Sequence, residues 1–236
     1  MEELKSMADL LDLQEVDAAI DKLLDDRSNL PLLAEYRSAH GVSTEAAAAL
    51  EVAEGELREL NLAVDKLEGE LELAEQKLDQ QEQRLFAGGM SAKETENMRL
   101  EVESLRRQRS TMEDEVLELL DRREAAETAA SGAKARAEDS AATERELEGK
   151  IADAWAAIDS EIARKEARKI EIAPEVDAEL MELYTELRTS RGGVVVGALD
   201  GRTCGACHIE LSAAEHHEAL REDPPRCIHC GAILVP

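Results

Sequence analysis

Residues 50–94 read LEVAEGELRELNLAVDKLEGELELAEQKLDQQEQRLFAGGMSAKE. Apolar side chains recur every seven positions, at Leu50, Leu57, Val64, Leu71, Leu78 and Leu85. A second set follows three residues after most of these, at Ala53, Leu60, Leu67 and Ala74, and ends at Gln81. Glu, Asp, Lys and Gln fill most of the intervening positions, which makes the repeat a heptad seam. A helix from about Thr44 to Phe86 would be roughly 65 Å long at ~1.5 Å per residue. It cannot leave such a seam in water, so it requires a partner helix.

The partner follows at once. Gly88 and Gly89 break the seam and supply the backbone freedom for a reversal, and Ser91 with Glu94 has the pattern of a capping box that restarts a helix. Beyond it the seam resumes at Val102, Leu105, Met112, Val116 and Leu119, and continues through Ala126, Ala130, Ala133, Ala137, Leu147, Ile151, Ala154 and Ile158. A short break between two seams predicts antiparallel neighbours. The expected fold is mainly α: a long antiparallel coiled-coil hairpin with its tip near 88–89, closing within one chain, followed by a small C-terminal β domain.

The descending helix is expected to run to about Ile172 and to exceed its ascending partner. An N-terminal stripe (Leu4, Met7, Leu11, Val16, Ile20, Leu23, Leu24) ends near Asn29-Leu30-Pro31 and is placed against the lower part of the descending helix. A turn around His40-Gly41-Val42-Ser43 is expected to separate it from the main arm. Pro174 is expected to open a last helix through Leu187. At Gly192-Gly193 the helical period stops and Val194-Val195-Val196 begins a β-type run, which sets the expected domains as 1–191 and 192–236.

Composition agrees with a helical arm. Apolar residues make up 43%, charged residues 35% and aromatics 2% of the 236 residues, the last being only Tyr36, Phe86, Trp155 and Tyr184. A single globular core of this length would carry more large rings. There are 54 acidic and 28 basic residues, a formal net charge of -26, which opposes general binding to a phosphate backbone. The charged N-terminus is neither a signal peptide nor a membrane span. The expectation is a cytoplasmic protein without a membrane partner, whose cysteines stay reduced.

Those cysteines form two pairs. Cys204-Gly-Ala-Cys207 is followed, after 19 residues, by Cys227-Ile-His-Cys230. Two residues between cysteines let one tight turn aim both sulfurs at a single ion, and four thiolates fill the tetrahedral shell of Zn²⁺, the mark of a structural site. One Zn²⁺ is therefore expected, with Gly205 and Gly231 at the knuckles. Strands are expected at Val194–Val196, His208–Leu211 and Ile233–Val235, with a helical turn capped by Ser212 and Glu215. A disulfide pair and a catalytic dithiol are the weaker alternatives for the same residues.

These features resemble a family of bacterial proteins that join an N-terminal coiled-coil hairpin to a C-terminal four-cysteine zinc ribbon. The resemblance rests on LLDLQEVDAAIDKL, on LFAGGMSAKETENMRLEVESLRRQRSTMEDEVLELLDRREA at the tip, on IAPEVDAELMELYTELRTSRGGVVVGALDGRTCGACHIELS, and on the closing RCIHCGAILV. It implies a hook-shaped arm with the ribbon at its base, and zinc ligation by Cys204, Cys207, Cys227 and Cys230. Characterised relatives bind a messenger RNA, an alternative sigma factor in flagellar control, and export-apparatus proteins. This chain departs from the family pattern in having Ala232 where a basic residue usually follows the final CxxCG.

Two basic clusters are candidate partner surfaces. Arg164, Lys165, Arg168 and Lys169 form a stripe near the base that can extend to Arg188, Arg191 and Arg202, while Arg106 and Arg107 lie near the tip. The ordinary alternative is a solvated face paired to Glu161, Glu166 and Glu171. The ribbon holds three basic residues against six acidic ones and no aromatic for base stacking. With no nucleophile–base pair in view, the expected function is that of a non-enzymatic zinc-ribbon adaptor or regulator. Its partner is expected to be a protein, the alternative being an RNA- or DNA-binding regulator that uses the basic stripe near the ribbon.

Overall fold

The structure, a computed structural model, describes residues 2–236, with side chains from residue 5 onward. Helix α1 spans Glu2–Ser28, α2 Leu32–Ala87, α3 Ala92–Ile172 and α4 Ala178–Arg191. Strand β1 (Val196–Asp200), β2 (Thr203–Cys204), helix α5 (Ala213–Ala219) and β3 (Ile233–Val235) follow. None of the described helices is long and apolar enough to cross a membrane. The chain packs as two compact units, one formed by Glu35–Leu147 and the other by the segment through Ala34 together with Glu148–Pro236.

The first unit is the long helical hairpin that the heptads require. Glu82 on α2 meets Arg106 on α3 at 2.6 Å, and His40 meets Glu144 at 2.6 Å, so the two helices run in opposite directions. Leu60, Val64 and Leu78 of the α2 seam are buried, as are Val102, Leu105 and Val116 of the α3 seam. Farther along α3 the buried seam residues are Ala126, Ala130 and Ala133. Gly88 and Gly89 make the reversal with φ of 76° and 88°. The Ser91 amide then donates to the Glu94 carboxylate at 2.8 Å and the Glu94 amide to Ser91 Oγ at 3.4 Å, which starts α3.

The turn expected at His40–Ser43 does not occur, because α2 is helical from Leu32 onward. One glycine inside a helix costs only about 1 kcal/mol, and here Gly41 is outweighed by its surroundings. Thr44 Oγ1 donates back to the His40 carbonyl at 2.8 Å, and His40 is held on Glu144. The chain turns at residues 29–31 instead, where the Asn29 side chain binds Asp25.

In the second unit α1 lies along α3. Arg27 pairs with Asp159 at 2.9 Å and stands 5.2 Å from the Trp155 ring, whose Nε1 donates to the Arg27 carbonyl at 3.2 Å. Leu10 and Leu13, which the expected stripe did not include, are fully buried, whereas Leu24 is exposed. Leu4 lies outside the residues whose side chains are described. Pro174 does not open α4. It sits in a short 3₁₀ turn, and Asp177 caps α4 by accepting the Glu179 amide at 2.9 Å, which satisfies one of the helix's orphan donors.

The ribbon sheet has the order β2-β1-β3, with β1 antiparallel to β2 and parallel to β3. β3 alternates: Ile233 and Val235 join the core made by α1, α3 and α4, while Leu234 faces Cys204, Leu211 and Cys227. Gly192–Gly193 thus marks the change from helix to strand, but packing does not divide there. The strand expected at His208–Leu211 is reduced to one bridge between Thr203 and Glu210, because His208 takes a left-handed φ of 59°.

Candidate metal centre and basic surface

Both CxxC turns are built by the same backbone pattern. The His208 amide donates to the Cys204 carbonyl at 2.7 Å, and the Gly231 amide to the Cys227 carbonyl at 2.6 Å. The Cys204 amide donates to the Ile209 carbonyl at 3.0 Å, and the Cys227 amide to the Ala232 carbonyl at 2.8 Å. Each turn needs one left-handed residue four positions after its first cysteine. Gly231 supplies it in the second turn with φ 67°, and His208 supplies it in the first.

Gly205 serves a different purpose from the one expected of it. A Cβ there would stand 2.7 Å from the Ala198 carbonyl oxygen, and a Cβ on Gly197 would stand 2.9 Å from the Gly205 carbonyl carbon. Strand β1 therefore lies directly on the first knuckle, with the Gly205 amide donating to Ala198 at 2.8 Å. Ser212 and Glu215 form the expected capping box at α5.

The four thiols converge. Cys204 Sγ lies 3.9 Å from Cys230 Sγ, Cys207 Sγ lies 3.9 Å from Cys227 Sγ, and all four sulfurs are within 4.8 Å of one another. A disulfide needs about 2.05 Å between sulfurs, so these are free thiols. Four sulfurs about 2.3 Å from a tetrahedral ion would be spaced about 3.8 Å apart, which the set meets closely.

The thiol acidities are set by burial and by one another. Burial pushes the Cys204 thiol above its usual range and drives Cys230 up to about 12. Burial acts in the same sense on Cys227, but the Cys230 and His229 amides, together with the Cys230 and Cys204 thiols, bring it below its usual range. Without a metal the set resists carrying four negative charges; a dication at the centre removes that obstacle.

The basic residues fare differently. Lys169 Nζ binds Asp17 Oδ1 at 2.7 Å, and Arg188 binds Asp21 at 2.9 Å with its Nε 3.7 Å from Asp17. Arg191 donates to the Cys230 carbonyl, and Arg202 pairs with Glu210 at 2.6 Å. Arg164 pairs with Glu161, and Arg168 with Glu171 at 3.0 Å. Lys165 lines a shallow cleft with Asp12, Glu15 and Arg168. At the tip Arg106 binds Glu82 and Arg107 binds Glu103 at 3.3 Å. Lys169, Arg188 and Arg191 therefore hold the protein's own acceptors rather than forming one unpaired stripe.

Sequence reasoning missed the polar residues buried in α1. Gln14 is 2% exposed, and its Oε1 accepts the Val195 and Val196 amides at 2.7 and 3.2 Å, continuing the edge of the sheet with a side chain. Asp17 is 3% exposed and accepts from Tyr184 as well as Lys169, and Ser6 accepts the Asp177 amide at 2.6 Å. The available signal was polar residues at helical spacing on the same face as Leu10 and Leu13.

The chain is similar to known proteins over nearly its whole length. Two uncharacterized proteins of Mycobacterium tuberculosis, from strains CDC 1551 / Oshkosh and H37Rv, are each 32% identical over 96% of this chain and 93% of theirs. A solved structure from Mycobacterium smegmatis is 28% identical, with a TM-score of 0.85, covering 99% of this chain and 98% of that one. CT398 from Chlamydia trachomatis shares the fold at 20% identity, with a TM-score of 0.69 and coverage of 97% and 96%. Residues 13–192 match the CT398-like coiled-coil hairpin domain, and the chain belongs to that family.

Proposed function

We propose that this chain is a non-enzymatic adaptor that binds a macromolecular partner, a protein in preference to a nucleic acid, and holds one structural Zn²⁺ on Cys204, Cys207, Cys227 and Cys230. The observation that carries the reading is the closed set of four sulfurs. Four protein ligands satisfy a tetrahedral ion and leave no position for a water or substrate, so the metal would stabilise the ribbon rather than catalyse. Thiols kept free at 3.9 Å suit a reducing, cytoplasmic setting.

The surroundings support an adaptor. The cleft of about 670 Å³ beside Ser6 and Pro224 is lined by Glu175, Asp177, Glu179 and Asp223, with no nucleophile–base pair, and its one hydroxyl is taken by the Asp177 amide. Phe86 at the hairpin tip is 81% exposed, an unusual place for one of only four aromatic residues. Net charge of -26 and the internal pairing of Lys169, Arg188 and Arg191 favour a protein partner. The RNA or DNA alternative is left with Arg164, Lys165 and Arg168 at the base.

Affinity capture with and without nuclease tests the choice. A partner retained after nuclease treatment, and lost in Phe86→Ala, is expected. Capture that nuclease abolishes, that falls steeply with salt, and that disappears in Arg164→Glu/Arg168→Glu overturns the protein reading. Metal analysis should find about one zinc per chain, and freshly isolated protein without metal would overturn the ligand assignment.

A further inference from the structure

The two knuckles share a backbone pattern but not their electrostatic setting. The second is gripped by two guanidinium groups. Arg191, the last residue of α4, donates through Nη1 to the Cys230 carbonyl. Its guanidinium fills the space beside Gly231, where an added Cβ would stand 2.8 Å from Nη2 and 3.0 Å from Cζ. Arg226, the residue before the third cysteine, donates from Nε and Nη2 to the Gly231 carbonyl at 3.3 and 3.2 Å. Arg202, close in sequence to the first knuckle, is instead turned to Glu210.

We infer that Arg191 and Arg226 are positioning residues for the metal, which hold the second knuckle closed and offset the charge of its thiolates. The inference rests on the reading of the four cysteines as zinc ligands. A zinc tetrathiolate carries two net negative charges, and the exposed Arg191 and half-buried Arg226 guanidinium groups beside it offset them. The planar fork suits Arg191 to this place, because it can lie flat over a glycine and still donate in its own plane. Gly231 is then required twice, once for its positive φ and once because any side chain would displace the guanidinium. Arg191 also ends α4, so the hydrogen bond to Cys230 ties the knuckle to a helix whose Leu180, Tyr184 and Leu187 are buried. Outer partners of metal ligands commonly change metal affinity 10- to 100-fold, roughly.

The experiment uses the full chain loaded with zinc, and separately with Co²⁺ as a spectroscopic probe. Zinc release to an excess of a colorimetric chelator is timed for wild type, Arg191→Ala, Arg226→Ala, Arg191→Lys, and the exposed control Arg221→Ala. We expect release about tenfold faster in each alanine variant, partial recovery in Arg191→Lys, and no change in Arg221→Ala. The sulfur-to-Co²⁺ charge-transfer band should move to lower energy in Arg191→Ala and Arg226→Ala, because a nearby cation stabilises the donor orbitals of sulfur. A purely structural role would leave that band in place. Wild-type release rates in both alanine variants, or faster release with an unmoved band, overturn the assignment. Wild-type protein that holds no metal overturns the underlying zinc reading instead. Should Arg191→Ala fail to fold, the band position in Arg191→Gln, which removes the charge and keeps a side-chain donor, and in Arg226→Ala decides.

Discussion

The Tyr184 hydroxyl donates to Asp17 Oδ2 at 2.6 Å, joining α4 to α1 across 167 residues of sequence, in a site where both residues are buried. Lys169 brings α3 to the same carboxylate, so one aspartate ties three helices. Removing it leaves the Tyr184 hydroxyl and the Lys169 ammonium without this acceptor, while Arg188 keeps Asp21. Asp17→Ala should destabilise the unit by about 2 kcal/mol and Tyr184→Phe by about 1 kcal/mol. Urea midpoints measure both, and a change within error for Asp17→Ala would remove the carboxylate from its central role.

The same pair predicts an alkaline transition. Burial, then the hydrogen bond to Asp17 and its negative charge, raise the Tyr184 pKa well above the usual tyrosine value. A group whose folded pKa is raised contributes stability that is full below its unfolded pKa, about 10, and is lost as pH rises through the folded value. The midpoint gap between wild type and Tyr184→Phe should therefore narrow as pH is raised above about 10. A gap that is constant up to pH 11 or widens would contradict the assignment.

Metal removal should act on one unit. Cys227→Ser is expected to lose the ion and loosen the ribbon, and through Ile233 and Val235 to weaken the core shared with α1 and α4. The hairpin seam of Leu78, Val102 and Leu105 shares nothing with the metal, so most of the helical circular dichroism should survive. Loss of the whole helical signal in one step would refute that independence.

Two glycine substitutions should move in opposite directions. Gly69 is helical with open space around its Cβ position, so Gly69→Ala should stabilise the hairpin by up to about 1 kcal/mol. Gly88 also has open space but a φ of 76°, and Gly88→Ala should cost about 1 kcal/mol from backbone conformation alone. Thermal midpoints of the two variants on either side of wild type would confirm the turn geometry, and equal shifts would not.

What could be read from the sequence was what depends on near neighbours. The heptads, the Gly88-Gly89 reversal, the capping boxes at Ser91 and Ser212, and the cysteine spacing all act within a few residues. The turn placed at His40–Ser43 failed because Gly41 is a weak local signal inside a 56-residue helix with an acceptor waiting on α3. Gln14 and Asp17 were not legible as linchpins, because their partners at Val195 and Tyr184 lie 181 and 167 residues away. His208 escaped notice because histidine seldom adopts the left-handed backbone that glycine takes at the matching place in the other knuckle.

The unit assembled from the segment through Ala34 and from Glu148–Pro236 is interrupted in sequence by the whole of the hairpin unit. On a ribosome the first helix therefore emerges long before anything it is built to meet. At ~5–20 residues per second, Gln14 waits roughly 10–35 s for Val195, 181 residues later. In that interval the apolar seam of α2 is the first large surface to appear. Gln14 and Asp17 make it a poor match, since burial there would leave an amide and a carboxylate without partners. The partners that satisfy Gln14 and Asp17 in the finished unit come only with the first strand and α4.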